Sequence, residues 1–193
     1  VCTPRFRQRA ELQGAACVLT FGKEQTMTTL YAQPYDISAA GFYFTSSEQY
    51  LKKVATSVND FGEPVEDFEI QFIDGEDIDC CLASAIGLSQ VTYSKFFELC
   101  EQLDEREKVH LIIAVGECGY DFDPDITEYA DFDIDIYEMD STRNLAEYFV
   151  DEGLMGEIPE TLARYLDYEA LARDLGVDYT ETRIAGKSYV HKN

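Results

Sequence analysis

Apolar residues recur along this chain with two different periods, and the switches between them outline its elements. Thr28 to Ala32 and Phe42-Tyr43-Phe44 read as short strands, and Phe68, Ile70 and Phe72 alternate with Glu69 and Gln71 as a half-buried strand does. Between them, Thr45-Ser46-Ser47-Glu48 supplies residues that open a helix, and Leu51, Val54 and Val58 follow at i, i+3 and i+7. Residues 26–75 therefore predict a small α/β unit in the order strand, strand, helix, strand.

Three apolar stripes come next. Ile78, Leu82, Ala85 and Ile86 form the first, and Tyr93, Phe96, Phe97, Cys100 and Leu103 the second. Val109 to Val115 forms the third, although its β-branched content suits a helix less well, and Gly87 and Gly116 are stops. Residues 76–116 predict a helical bundle. From 117 onward the chain is dense in acid, yet the pattern persists. Asp131 to Glu138 alternates strictly, which predicts a strand with Phe132, Ile134 and Ile136 turned inward and Asp131, Asp133 and Asp135 turned to water. Helices are expected at about 142–151, 159–166 and 167–175, with Pro159 in a first turn where it fits. Strand-like Tyr179 to Ile184 and Ser188 to His191 follow. The fold class is α+β, a chain of small subdomains: an N-terminal α/β unit, a central helical bundle, and at 117–193 a small sheet with helices.

Composition adds enough apolar material for a core, 46% hydrophobic and 13% aromatic in 193 residues, which is not the profile of a disordered chain. Charge changes the picture most. There are 38 acidic residues against 15 basic, a net of −23. A net of about −2 to −8 already serves solubility in a small domain, and a larger excess destabilises the compact state by self-repulsion. The excess points to a basic partner. DNA and anionic membranes are excluded by sign as direct ligands. The first 25 residues run the other way, with Arg5, Arg7, Arg9 and Lys23 against Glu11 and Glu24, net +2 (4 − 2). They are read as an upstream extension before a functional start near Met27, or alternatively as a genuine basic arm.

Between Asp60 and Glu181 stand 34 acidic and 6 basic residues, net −28 (6 − 34), interleaved with Phe, Tyr, Ile and Leu. Those carboxylates sit on folded elements, whereas a disordered acidic tail shows like-charge blocks with few aromatics. Residues two apart on one strand face are about 6.6 to 6.8 Å apart, so Asp131, Asp133 and Asp135 would form a rigid row of charge. Duplex DNA carries a phosphate every ~3.4 Å of axis on each strand, a comparable density. Asp121, Asp123 and Asp125 precede that row. The predicted helices add Glu147, Asp151, Glu152, Glu160, Asp167, Glu169 and Asp174, offset locally by Arg143, Arg164 and Arg173. For any one carboxylate a solvated face is the plainer reading, but the ensemble at this density must repel itself.

Signs of chemistry are few. No GxSxG, P-loop, HExxH or GxGxxG occurs, and the two histidines, His110 and His191, read as structural or surface residues. Asp121, Asp123 and Asp125 resemble the start of a calcium loop, but Ile126 and Phe132 stand where Gly and Glu are needed. No metal or cofactor is expected. Six cysteines without paired spacing point to a reducing cytosol, with Cys80, Cys81 and Cys100 as buried thiols. Apolar runs such as Leu111 to Val115 are too short to cross a bilayer. The residues alone leave open an acidic decoy, a carboxylate hydrolase and an unselective acidic chaperone.

The stretch EYFVDEGLMGEIP at 147–159, followed by YLDYEA at 165–170 and ARDL at 172–175, resembles the C-terminal signature of the ArdA antirestriction proteins. The likeness runs from about Met27 to His191, and the opening LYAQPYDISAAGFYF is only weakly similar. It implies an elongated, curved, three-part protein that dimerises through its C-terminal part. It also implies a non-enzymatic mimic of bent DNA, carried on mobile genetic elements, that occupies the DNA groove of type I restriction–modification enzymes. By that resemblance the antirestriction motif falls on about Asp151 to Tyr168. Gly153, Gly156 and Pro159 would shape a turn there beside Tyr168, and Asp151, Glu152, Glu157 and Asp167 would stand in for phosphates. A related mimic directed at a CRISPR effector, a nucleoid protein or a transcriptional regulator is the alternative.

Overall fold

The computed structural model describes residues 27–124, 132–156 and 158–192. Two three-stranded antiparallel sheets and helices between them make a mixed α+β fold. The first sheet, ordered β2-β1-β3, is β1 (Thr29–Pro34), β2 (Phe42–Phe44) and β3 (Phe68–Asp74), with helix α1 (Ser47–Val54) between β2 and β3. Leu30 and Ala32 of β1, Phe44 of β2, and Phe68 and Ile70 of β3 are buried, while Phe72, the third residue of the predicted alternation, is half-buried. Ser46 caps α1, its hydroxyl accepting from the Gln49 amide. The expected stripe on α1 is corrected. Leu51 is 62% exposed, and Val58 lies beyond the helix end and is exposed. Tyr50 is the buried residue instead, its ring 4.3 Å from Tyr93 and 4.9 Å from Phe44. An aromatic ring removes more apolar surface than a leucine at the neighbouring position, so its packing sets the helix rotation.

Three helices follow, α2 (Asp77–Ala85), α3 (Tyr93–Gln102) and α4 (Glu105–Gly116), as the stripes predict. The β-branched Ile112, Ile113 and Val115 are carried by a strong start at α4. The Asp104 carboxylate accepts from the Arg106 and Glu107 amides, and Glu107 accepts in return from the Asp104 amide. Leu111, Ile113 and Ala114 are fully buried, and α4 packs on α2. Between these helices lies a buried ion pair, Lys108 Nζ to Asp79 Oδ1 at 2.7 Å, with both side chains under 10% exposed.

The second sheet, ordered β4-β6-β5, comprises β4 (Asp135–Tyr137), β5 (Thr180–Ile184) and β6 (Lys187–Lys192). β5 and β6 close through Ala185 and Gly186, both at positive φ (49° and 85°), which is the backbone of a two-residue hairpin turn. Helices α5 (Thr142–Asp151), α6 (Glu160–Ala163) and α7 (Tyr168–Leu175) lie between β4 and β5, and α5 packs on α7. α6 is shorter than expected. Pro159 is its N-cap, with extended ψ of 135°, rather than its first turn. The core joins residues of both sheets: Ile184 and Tyr189 belong to the same buried cluster as Leu30, Phe96 and Ile113.

Candidate functional site

The acid-rich surface is set by where each carboxylate falls on these elements. Of the strand predicted over 131–138, the described residues form a strand only at Asp135–Tyr137, paired to β6. Just before it the Ile134 amide donates to the Phe132 carbonyl at 2.9 Å, a tight turn that takes 132–134 out of the extended ladder. The alternation nevertheless holds. Phe132, Ile134 and Ile136 pack on the core, and Asp133 and Asp135 are exposed. The row of charge is therefore shorter and less regular than a full strand would make it. Asp125, Asp131 and Glu157 lie outside the described residues, as does the side chain of Glu160.

Asp121, Asp133, Asp135, Asp151, Glu152 and Asp174 are all exposed, and among the described residues none of them is ion-paired. Asp123 is exposed as well. Glu147 and Glu169 are held differently. Arg143 of α5 donates to Glu147 at 3.2 Å within its own helix and to Glu169 of α7 at 2.6 Å, so these two acids help clamp α5 to α7. The hydrogen bond with Glu147, then the charge of Glu169, raises the pKa of the Arg143 guanidinium. Asp167 caps α7, accepting from the Ala170 amide at 3.0 Å. Gly153 (φ 70°) and Gly156 (φ 94°) carry the left-handed turns between α5 and α6, a conformation that disfavours a Cβ. Tyr168, half-buried, starts α7.

Several anchors of this region do not show in the periodicity. Tyr137, Phe149 and Tyr179 form a triangle of rings with centroids 5.7 to 6.2 Å apart, and Tyr148 flanks Tyr137 at 6.0 Å. Burial raises the phenol pKa of both Tyr137 and Tyr179, and Asp135 adds to each. Glu181 of β5 accepts from the amide and hydroxyl of Thr142, at 2.6 and 3.0 Å, tying α5 to the sheet. Lys187 reaches Glu105 at 2.8 Å, tying the hairpin to α4. Only the placement of Ser141, whose hydroxyl accepts from the Asn144 amide ahead of α5, is a local signal that sequence could have given.

A cleft of about 880 Å³ sits between α2, α3 and α4, with Asp79, Lys108 and Cys100 on its wall. Burial, then the Asp79 charge, pushes the Cys100 thiol up to about 12, so at neutral pH it is no thiolate nucleophile. Cys80, Cys81, Cys100 and Cys118 are half-buried, so the expectation of buried thiols at Cys80, Cys81 and Cys100 is corrected. Among the described residues no three His, Cys, Asp or Glu side chains converge to hold a metal, and no helix is long and apolar enough to cross a membrane.

Comparison with protein families supplies the remaining observation. The model of the antirestriction protein family ArdA matches residues 40–190, more than three quarters of the chain. The chain belongs to the ArdA antirestriction family. No match was found among curated proteins. The ArdA match ends one residue short of His191, where the sequence signature placed its end. It begins at Ala40 rather than at Met27, so β1 falls outside the matched span. The segment 151–168, where the motif is expected, lies inside that span, and its described residues run from the end of α5 to the start of α7. Membership of ArdA makes this an antirestriction protein.

Proposed function

We propose that this chain is a folded acidic decoy without chemistry of its own. It occupies the DNA-binding groove of a type I restriction–modification enzyme in the cytoplasm and so prevents restriction. It needs no cofactor and binds no nucleic acid itself. One observation carries the reading: in a chain of net charge −23, Asp121, Asp133, Asp135, Asp151, Glu152 and Asp174 stand exposed, without ion pairs among the described residues, on or beside ordered elements. Like charges so held repel one another until a basic groove takes the place of their counterions. The turn at Gly153 and Gly156 and the cap at Asp167 set the angle at which this surface is presented. Leu154, Leu162 and Tyr165 are exposed in the same segment, and that apolar set is the surface through which a homodimer would form.

The test is competition. A purified type I enzyme is bound to its labelled site and the chain is titrated in at two salt concentrations. Stoichiometric displacement that weakens at high salt is the expected result, since released counterions make such binding salt-dependent. DNA that stays bound at low salt under a large excess of the chain would remove the type I enzyme as target and turn attention to other DNA-binding proteins.

A further inference from the structure

The far end of the first sheet is unlike the acidic surface. The β1–β2 loop, 35–41, and the loop after α1, 55–67, are locked together by their own polar groups. Both carboxylate oxygens of Asp36 are used: Oδ1 accepts from the Ser38 amide and hydroxyl at 2.9 and 2.7 Å, and Oδ2 from the Asn59 side chain at 3.0 Å. Asn59 Oδ1 accepts in turn from the Phe61 and Glu63 amides at 3.0 and 2.9 Å. The Asp60 amide donates to the Ser38 carbonyl at 2.9 Å, closing the two loops on each other. One residue to either side of that tie stand Ile37, fully exposed, and Phe61, 81% exposed, with Tyr35 at 69% nearby.

Scattered exposed apolar residues are ordinary, but large ones mounted on a hydrogen-bonded tip are preorganised to bind, since little backbone freedom is left to lose. Asp36, Asp60 and Glu63 stand beside them along the two loops, so a recess that receives them would be apolar with a basic rim. A second copy of this chain fits poorly at the tip, because a symmetric contact there would set the same three carboxylates against themselves. DNA-binding surfaces do offer such recesses, where side chains contact thymine methyls and base faces between phosphate-binding cations.

We infer that this tip is a second contact surface for the DNA-binding protein that the acidic surface engages, with Ile37 and Phe61 entering apolar recesses that otherwise receive bases. The inference rests on the proposed decoy function. On it, the carboxylates stand in for phosphates and supply salt-dependent affinity, and the tip supplies affinity that salt barely changes.

The experiment measures binding of the full chain to a type I enzyme at several salt concentrations, for the unaltered chain, for Ile37→Ser/Phe61→Ser, and for Asp121→Asn/Asp133→Asn/Asp135→Asn. The tip variant is expected to bind about tenfold or more weakly at every salt with an unchanged slope of log affinity against log salt. The carboxylate variant is expected to flatten that slope. Thermal unfolding of the tip variant should match the unaltered chain, because both side chains are exposed. Equal affinity of the tip variant overturns the inference while the decoy reading stands. A tip variant that instead changes the slope, or abolishes self-association in sedimentation, also overturns it. If the unaltered chain does not bind, the decoy reading fails and the inference goes with it.

Discussion

The region up to Gly116 and the region from Phe132 onward are held together by different means. The first is built on rings and aliphatics: Phe44, Tyr50, Phe68, Tyr93 and Phe96 are all buried and in mutual aromatic contact through their neighbours. The second has a thin apolar interior, with Leu145, Ala146, Ala172 and Val190 its most buried members beside Ile184 and Tyr189. Its order depends on short polar ties: the Arg143 clamp, the Thr142–Glu181 bonds, the Asp167 cap, and Lys192 on Asp178 at 3.2 Å. The difference has a physical logic. Carboxylates must stay solvated to remain charged, so a surface crowded with them leaves little area to bury. Local hydrogen bonds then take over the positioning that a large core would otherwise do.

The largest effect should come from the first region. Asp79→Ala leaves the Lys108 ammonium buried without its partner and is expected to cost about 3 to 5 kcal/mol in urea unfolding. Asp79→Leu with Lys108→Met should recover most of that loss. A mild Asp79→Ala would mean that water reaches the pair and that this region is less tightly closed than its rings suggest.

In the second region, Ala185 holds a left-handed φ of 49° that a side chain without a polar tip disfavours. Ala185→Asn should raise stability by roughly 1 kcal/mol, since asparagine tolerates that turn position. No gain would place the cost of that turn elsewhere.

His191 of β6 gives a pH-dependent handle on the same sheet. Its ring is buried, Nε2 has no hydrogen-bond partner among the described residues, and Nδ1 lies 3.6 Å from the Cys118 sulfur. Burial lowers its pKa below 6.5, against a smaller opposing pull from Glu117. The unfolded chain therefore takes up this proton first. The stability contributed by the neutral ring is present above pH 6.5 and is lost as pH falls through the lower folded value. His191→Leu should flatten the melting temperature against pH just below 6.5, and an unchanged profile would exclude this residue as the cause.

The smallest effect is expected at Arg143→Ala, since an exposed, solvent-screened clamp should change the unfolding midpoint little. It frees Glu147 and Glu169, so binding to a basic partner should hold or tighten slightly in a competition titration. A large loss of binding would show that the angle between α5 and α7 matters more than the charges on them.

How much of this was legible in sequence follows the same division. The strand Phe42–Phe44 and the helix Thr142–Asp151 appear where their patterns place them, because alternation and helical spacing with a Ser cap are local signals. The rotation of α1 was not legible, because it depends on Tyr50 meeting Tyr93 across the core. The apolar stripe does not mark the start of α4, which the capping-box spacing of Asp104 and Glu107 sets. The strand Asp135–Tyr137 is shorter than the alternation over 131–138 predicts for another reason. Alternation sets which side chains face inward, but a ladder also needs a partner, and β6 offers pairing only to Asp135–Tyr137. At the site, the acidic residues were plain from composition, whereas the split between unpaired charges and the clamped Glu147 and Glu169 requires the packing of α5 on α7.

The most direct test of the distributed-charge account is a single substitution set beside a triple one. Binding to a type I enzyme at low salt is measured for Asp133→Asn alone and for Asp121→Asn/Asp133→Asn/Asp135→Asn. The account predicts that the single change is nearly silent, since one exposed charge contact is worth about 0 to 1 kcal/mol, and that the triple weakens binding clearly. Loss of binding on Asp133→Asn alone would contradict it and put a specific recognition residue in place of a charged surface.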